Sequence, residues 1–189
     1  MAHRFDPRKV ARLESEERRR RLPPEKVLAK IGLKGGMVLA DVGAGSGYFT
    51  LPAAEVVGPS GKVFALDLSE EMRNHLLAKN PPPQVEVLPC EESRLPLADG
   101  VADRILAAFV LHEAPAPAEF LRELYRVARP GGRVAVLDWV PLETEEGPPL
   151  EDRIAPEEAR RLLRQAGFHP AEEEPFGGSF YLLLGLKRP

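Results

Sequence analysis

Three glycines within seven residues, Asp41-Val42-Gly43-Ala44-Gly45-Ser46-Gly47, mark a place where the backbone must come close to something. Only a residue without a side chain permits that approach, and glycine takes the required backbone angles without strain. Where such a segment runs from a strand into a helix, free N–H groups at the helix start face a polar or charged ligand. The spacing here is G-x-G-x-G. The dinucleotide fingerprint G-x-G-x-x-G needs a glycine where this chain has Tyr48. A carboxylate, Asp41, stands two residues before the first glycine. It suits a cationic amino group, met directly or through water, and would repel a pyrophosphate. Spacing and charge together favour S-adenosylmethionine (SAM), whose methionine end carries an ammonium, over NAD. The competing reading is a tight strand-to-helix turn without a ligand.

About 20 residues past the loop, Asp67 closes the apolar run Val63-Phe64-Ala65-Leu66. A carboxylate at that interval accepts hydrogen bonds from both ribose hydroxyls. Alone it would read as a helix cap; behind the glycine loop the ribose role is preferred. Leu68 and Met72 offer apolar contact to an adenine face.

Short apolar runs alternate with amphipathic stretches, which predicts βα units and a mostly parallel sheet. Strands are expected at 37–42, 62–66, 84–88, 104–110 and 133–139. The run at 104–110 is almost wholly apolar, as a central strand buried on both faces requires. Helices are expected at 47–57, 69–79, 117–128 and 156–165. Ser69 is a plausible N-cap, with Glu70 and Glu71 in the first turn. Pro130-Gly131-Gly132 reads as a turn and 141–149 as an acidic, proline-bearing loop. Segments 168–173 and 179–186 form a closing hairpin through Gly177-Gly178. Upstream, 7–21 is a polar helix with Glu14–Arg18, Glu16–Arg20 and Glu17–Arg21 at i,i+4 spacing. Pro23-Pro24 breaks it, and 25–31 restarts a helix with Val27, Leu28 and Ile31 as its apolar stripe. The chain therefore divides into a helical lid or extension at 1–31 and a domain at 32–189, compact as one body.

The chain has 189 residues, 43% hydrophobic and 29% charged, with a net charge of −3. These values describe a globular protein and exclude a global basic field drawing it to nucleic acid or anionic lipid. One cysteine, Cys90, excludes a disulfide framework and a multi-cysteine metal site within the chain. A reducing, cytoplasmic location is the simplest reading, and no signal peptide or membrane span is expected. His3, His75 and His169 are not spaced as a metal cluster, so no metal is expected. Asn and Gln are scarce, a thermophile-like bias bearing on stability rather than function.

The sequence resembles the class I SAM-dependent methyltransferases, nearest in texture to the small-molecule methyltransferases of the ubiquinone/menaquinone-biosynthesis type. The matching residues are Val38-Leu39-Ala40-Asp41-Val42-Gly43-Ala44-Gly45-Ser46-Gly47 and Asp67-Leu68-Ser69-Glu70-Glu71-Met72. Leu95-Pro96 with Asp99 and Asp103, and Arg129-Pro130-Gly131-Gly132-Arg133, add to them. The resemblance implies an α/β Rossmann-like sheet of seven strands, order 3-2-1-4-5-7-6, the last antiparallel, with helices on both faces. It implies SAM as cofactor and S-adenosylhomocysteine as product. It also implies contacts from Asp41, Gly43, Ala44, Gly45, Gly47, Tyr48, Asp67, Leu68, Met72 and Phe109. Where such families often carry Gly-Asp-Ala after strand three, this chain has Cys90-Glu91-Glu92. Glu91, with Glu92 beside it, replaces the aspartate as acceptor for the adenine amino group. Cys90 reads as structural, and with no set of cysteines the chain is a poor candidate for the arsenite-methylating relatives.

Methyl transfer from a sulfonium is an in-line displacement, so the protein mainly positions the reactants and excludes water. A general base is needed only if the nucleophile must lose a proton. His112 and Glu113 follow strand four, at the carboxyl edge where open α/β sheets place ligands. His112 is the candidate base; the preferred reading is a residue that lines the pocket or bonds locally. Asp138 and Trp139 end strand five, as wall of an acceptor pocket or as strand-terminal residues. The run Arg18-Arg19-Arg20-Arg21 is either a solvated helix face, the preferred reading, or a contact to RNA phosphates. A narrower reading lets one arginine meet the SAM carboxylate or close the pocket. The function expected is methyl transfer to a small-molecule acceptor. The alternatives are an RNA or protein methyltransferase using the arginine face and a nonenzymatic SAM-binding module, with an NAD oxidoreductase furthest away.

Overall fold

All seven residues of strand β4 (Ala102–Ala108) are buried. That burial makes it the spine of a seven-stranded sheet whose order is β3-β2-β1-β4-β5-β7-β6. The computed structural model describes residues 15–144, 146–176 and 178–189. Segment 7–14, His3 and Gly177, all part of the expectations above, lie outside them.

Strands β1 (Val38–Val42), β2 (Lys62–Asp67), β3 (Val85–Pro89), β4 and β5 (Ala128–Trp139) run parallel. Strand β7 (Phe180–Leu186) is antiparallel to β5 and to β6 (His169–Phe176), which is the hairpin and order expected. The two-residue period of a strand sorts its side chains between faces. Ile105 and Ala107 join one buried cluster with Phe120, Leu121, Leu124 and Leu163. These come from helices α5 (Pro117–Val127) and α6 (Pro156–Ala166). Leu106 and Ala108 join the other cluster, with Val27, Leu28, Ala53 and Val57. Those belong to α2 (Pro24–Lys30) and α3 (Thr50–Val57). Helix α4 (Glu70–Leu77) begins at the expected cap, Ser69 Oγ accepting from the Met72 N–H.

Several boundaries differ from expectation, and the structure gives a physical reason for the following. Helix α3 starts at Thr50, because residues 43–49 form turns closed by Gly47 N–H to the Ala44 carbonyl. Strand β4 stops at Ala108, because Phe109 has φ +62° and leaves the strand path. Strand β5 begins at Ala128, ahead of the expected turn. Gly131 N–H donates to Lys187 O and Lys187 N–H to Gly132 O, so the Pro-Gly-Gly segment is carried along the sheet edge. Finally, Leu22, Val27, Leu28 and Ile31 are buried in the core, whereas α1 (Glu16–Arg21) buries no residue. Of the two described N-terminal helices, the second is thus packed into the core and α1 is not.

Candidate cofactor and acceptor site

The glycine loop follows β1, and its backbone is tied to the end of β2. Gly43 and Ala44 N–H both donate to the Leu66 carbonyl, at 2.8 and 3.0 Å. Gly43, Gly45 and Gly47 have φ of +74°, +56° and +91°. Gly43 has a second constraint: a Cβ there would sit 2.1 Å from Val110 Cγ1. Met72 is buried, with Cε 3.2 Å from where a Cβ on Gly45 would lie, so it packs against the loop.

Asp67 holds the loop from the β2 side. One carboxylate oxygen accepts from Gly45 N–H at 2.7 Å and the other from Ser69 N–H at 2.8 Å. Burial raises its pKa against the opposing pull of those bonds and of Arg73. Each oxygen keeps a second lone pair, enough for a ribose diol. Asp41 is fully buried and accepts from Thr50 Oγ1 at 2.6 Å. Burial pushes its pKa up to about 7; the Thr50 bond opposes that and the Asp67 charge adds to it.

Beyond Asp67, Leu68 is exposed. It lines an open cleft of about 590 Å³ with Cys90, Glu91, Glu92, Pro115 and Glu119. An apolar side chain beside carboxylates suits a base with an exocyclic amino group. Burial pushes the Cys90 thiol up to about 12, so it is not a thiolate near neutral pH.

At the ends of β4 and β5 the sequence signals converge on one pair. His112 Nδ1 lies 2.7 Å from Asp138 Oδ1, and His112 N–H donates to Asp138 Oδ2 at 3.2 Å. Both residues are buried, at 7% and 1% exposure, so this ion pair is screened from water. An ionised carboxylate only accepts, so Nδ1 carries the proton and Nε2 is left toward Glu113, 4.0 Å away. Burial lowers the histidine pKa, but Asp138, by hydrogen bond and charge, with Glu113 and Asp152, outweighs it and raises the pKa above its ordinary value.

At the same carboxyl edge of the sheet, three rings pack on one another. Phe109 packs on Phe180 at 5.1 Å and on Trp139 at 5.8 Å, and Trp139 packs on Phe180 at 4.8 Å between ring centres. Arginines cap them. Arg18 lies over Tyr48 and Phe109 at 4.9 and 5.1 Å, Arg21 over Phe180 at 5.7 Å and Arg153 over Trp139 at 5.2 Å. The four-arginine run is thus divided. Arg21 donates to Ser179 Oγ at 3.0 Å and approaches Glu146 at 3.7 Å rather than serving a Glu17 pair. Arg19 pairs with Glu25, and only Arg19 and Arg20 are fully exposed. Sequence reasoning named Asp138 and Trp139 but missed Phe180 and Arg153; neither stands in a motif, and both reach the site through sheet pairing and loop closure.

Two polar atoms at the loop are buried without a hydrogen-bond partner, Ser46 Oγ and Arg18 Nε. Unsatisfied donors beside the glycine loop fit a ligand with anionic and polar groups at its amino-acid end. Among the described residues, His, Cys, Asp and Glu nowhere gather in a group of three or more that could hold a metal. No described helix is long and apolar enough to cross a membrane.

The strand order, the glycine loop and a carboxylate closing β2 define a nucleoside-cofactor protein of the SAM-binding, Rossmann-like class. Residues 40–136 match the family model described as a methyltransferase domain, and the chain belongs to that family. A crystal structure of a SAM-dependent methyltransferase from Aquifex aeolicus superposes with a TM-score of 0.91 at 37% identity, covering 97% of this chain and 100% of that one. An arsenite methyltransferase of Halobacterium salinarum is 31% identical over 74% of this chain and 39% of its own length. A ubiquinone/menaquinone biosynthesis C-methyltransferase of Hahella chejuensis is 35% identical over 58% of this chain and 46% of its own length. The chain therefore spans less than half of each of these two curated relatives. The family's cofactor is SAM.

Proposed function

We propose that this protein transfers the methyl group of SAM to a small-molecule acceptor, leaving S-adenosylhomocysteine. The observation that carries the acceptor class is the closure of the carboxyl edge. Helix α1 places Arg18 and Arg21 on the aromatic rings, Arg153 covers Trp139, and Arg21 links the two sides through Ser179 and Glu146. An edge covered from both sides in this way favours a compact acceptor over a macromolecular one. The RNA reading loses the continuous basic face it needs, because Arg18 and Arg21 are turned inward.

In this reading Asp67 holds the ribose and the cleft beside Leu68, Glu91 and Glu92 receives the adenine. Asp41 and the glycine loop receive the amino-acid end. SAM supplies an electrophilic methyl group on a sulfonium. The chain's own contribution is alignment, water exclusion and handling of one proton. Asp138 fixes the Nδ1–H tautomer of His112, so Nε2 is the atom that takes a proton from the acceptor. Among the described residues α1 is the lid, since the helix at Pro24–Lys30 is bound into the core.

Calorimetry tests the cofactor step. SAM and S-adenosylhomocysteine are expected to bind, with affinity falling at least about tenfold in Asp67→Ala as the ribose bonds are lost. Labelled methyl transfer to the low-molecular-weight fraction of a cell extract tests the acceptor. Label appearing only in RNA or protein would reject the small-molecule reading.

A further inference from the structure

Arg18 is the cation that the arrangement leaves least explained. Its guanidinium lies over the rings of Tyr48 and Phe109, at 4.9 and 5.1 Å from their centres. Stacking occupies the faces of the plane, while its N–H donors point outward within the plane. Aromatic contact therefore does not satisfy them, and Nε is buried with no hydrogen-bond partner. A buried donor without an acceptor is costly, and a cationic one most of all. Burial pulls the Arg18 pKa down to about 10, with Tyr48 and Glu146 opposing, so the group still carries its charge at neutral pH.

The position of this cation is set by the glycine loop itself. Tyr48 follows Gly47 directly, and its hydroxyl donates to the Leu22 carbonyl at 2.6 Å, anchoring the end of α1 to the loop. Phe109, the other ring, sits at the end of β4 in a left-handed conformation, held by its N–H to the Leu137 carbonyl at 2.7 Å. Asp67 stands at the opposite side of the loop, on Gly45 N–H. A ligand with its ribose at Asp67 and its tail along the loop toward Tyr48 brings that tail to Arg18.

We infer that Arg18 is a cofactor-binding residue that pairs with the carboxylate of the SAM methionine end, the stacked rings holding its N–H edge toward the loop. This rests on the SAM reading above. It joins cofactor binding to the placement of α1. A carboxylate there adds to the contacts that already seat α1 beside Tyr48 and Phe109.

The test compares two ligands on the full chain by calorimetry. One is S-adenosylhomocysteine. The other is its decarboxylated analogue, S-adenosyl-3-thiopropylamine, which keeps the nucleoside and the amine. Wild-type protein is expected to prefer the first by at least about tenfold, the scale of a charge-assisted pair. Arg18→Gln is expected to lose most of that preference while binding the analogue as wild type does, and Arg18→Lys to recover part of it. Melting curves for both variants should stay near wild type without ligand, since the substitutions remove ring contacts but also a buried donor that has no partner. If Arg18→Gln keeps the wild-type preference, Arg18 does not read the carboxylate and this inference alone falls. If wild-type protein binds neither ligand, the SAM reading falls and takes this inference with it.

Discussion

Asp41 shows at the level of one residue how binding works against stability. Its pKa is about 7 in the folded chain, raised chiefly by burial from 3.8. A carboxyl raised on folding binds its proton more tightly in the native state. Its contribution therefore disfavours folding progressively as pH rises from about 4 to 7. The full shift corresponds to at most about 4 kcal/mol. Asp41→Asn, which still accepts from Thr50, is expected to melt higher than wild type at pH 8 and about equally at pH 4. Urea or thermal titration across that range measures it. The same variant is expected to bind SAM more weakly, since the ammonium loses its carboxylate.

His112 has the opposite sign. Its folded pKa is raised, so its pairing with Asp138 stabilises fully below about 6.5 and is lost as pH climbs through the raised value. As a base it must be neutral, so turnover is expected to rise with pH through that same value. Asp138→Asn removes the raising partner, leaving burial to dominate. The acidic limb should shift to lower pH, and the maximum should fall by about 10²–10⁴ because the tautomer is no longer held. An unshifted limb would show that His112 does not carry the proton. SAM affinity should stay near wild type in His112→Ala.

Among the elements, the segment after β5 has the least regular structure and the most specific closure. Arg153 donates to the carbonyls of Pro148, Val140, Leu142 and Glu146 and to Thr144 Oγ1. Its face lies on Trp139, and Gly147 has no room for a side chain, since a Cβ would be 2.9 Å from that ring. One guanidinium therefore organises the stretch that covers Trp139 at the carboxyl edge. Arg153→Met keeps much of the apolar contact and removes every hydrogen bond. It is expected to make this segment a proteolytic cut site and to raise KM for the acceptor, with little change in SAM affinity. Limited proteolysis and steady-state kinetics separate the two effects. Helix α1 closes the other side with only six residues and depends on its aromatic and loop contacts for its place.

At the scale of the whole molecule, the sheet divides the apolar side chains into two buried layers, and β4 contributes to both. Leu106→Ala at its centre, where the native side chain is wholly buried, is expected to cost about 2–5 kcal/mol, read as a fall in the denaturation midpoint. Much of this architecture was legible in advance. Period-two apolar runs, Ser69 as a cap and Gly167 after α6 are local signals that depend on residues a few positions apart. Where β5 begins was set by distant partners. Gly131 and Gly132 stay with the sheet because Lys187, far along the chain, supplies their bonds. Arg21 leaves its expected helix pairing for Ser179.

The site divides in the same way. The sequence by itself marked the proposed donor end, because the glycine loop, Asp41 and Asp67 lie within one β-α-β stretch where chain geometry dictates their spacing. It also determined the order of strands, through the pattern shared with a family. Only the tertiary structure decided that His112 and Asp138, 26 positions apart, form one buried pair. Only it showed that Phe180 and Arg153 complete the aromatic wall, and that Arg18 is turned inward while Arg20 is exposed. These are contacts between segments distant in the chain, set by strand pairing and burial, and local spacing carries no record of them.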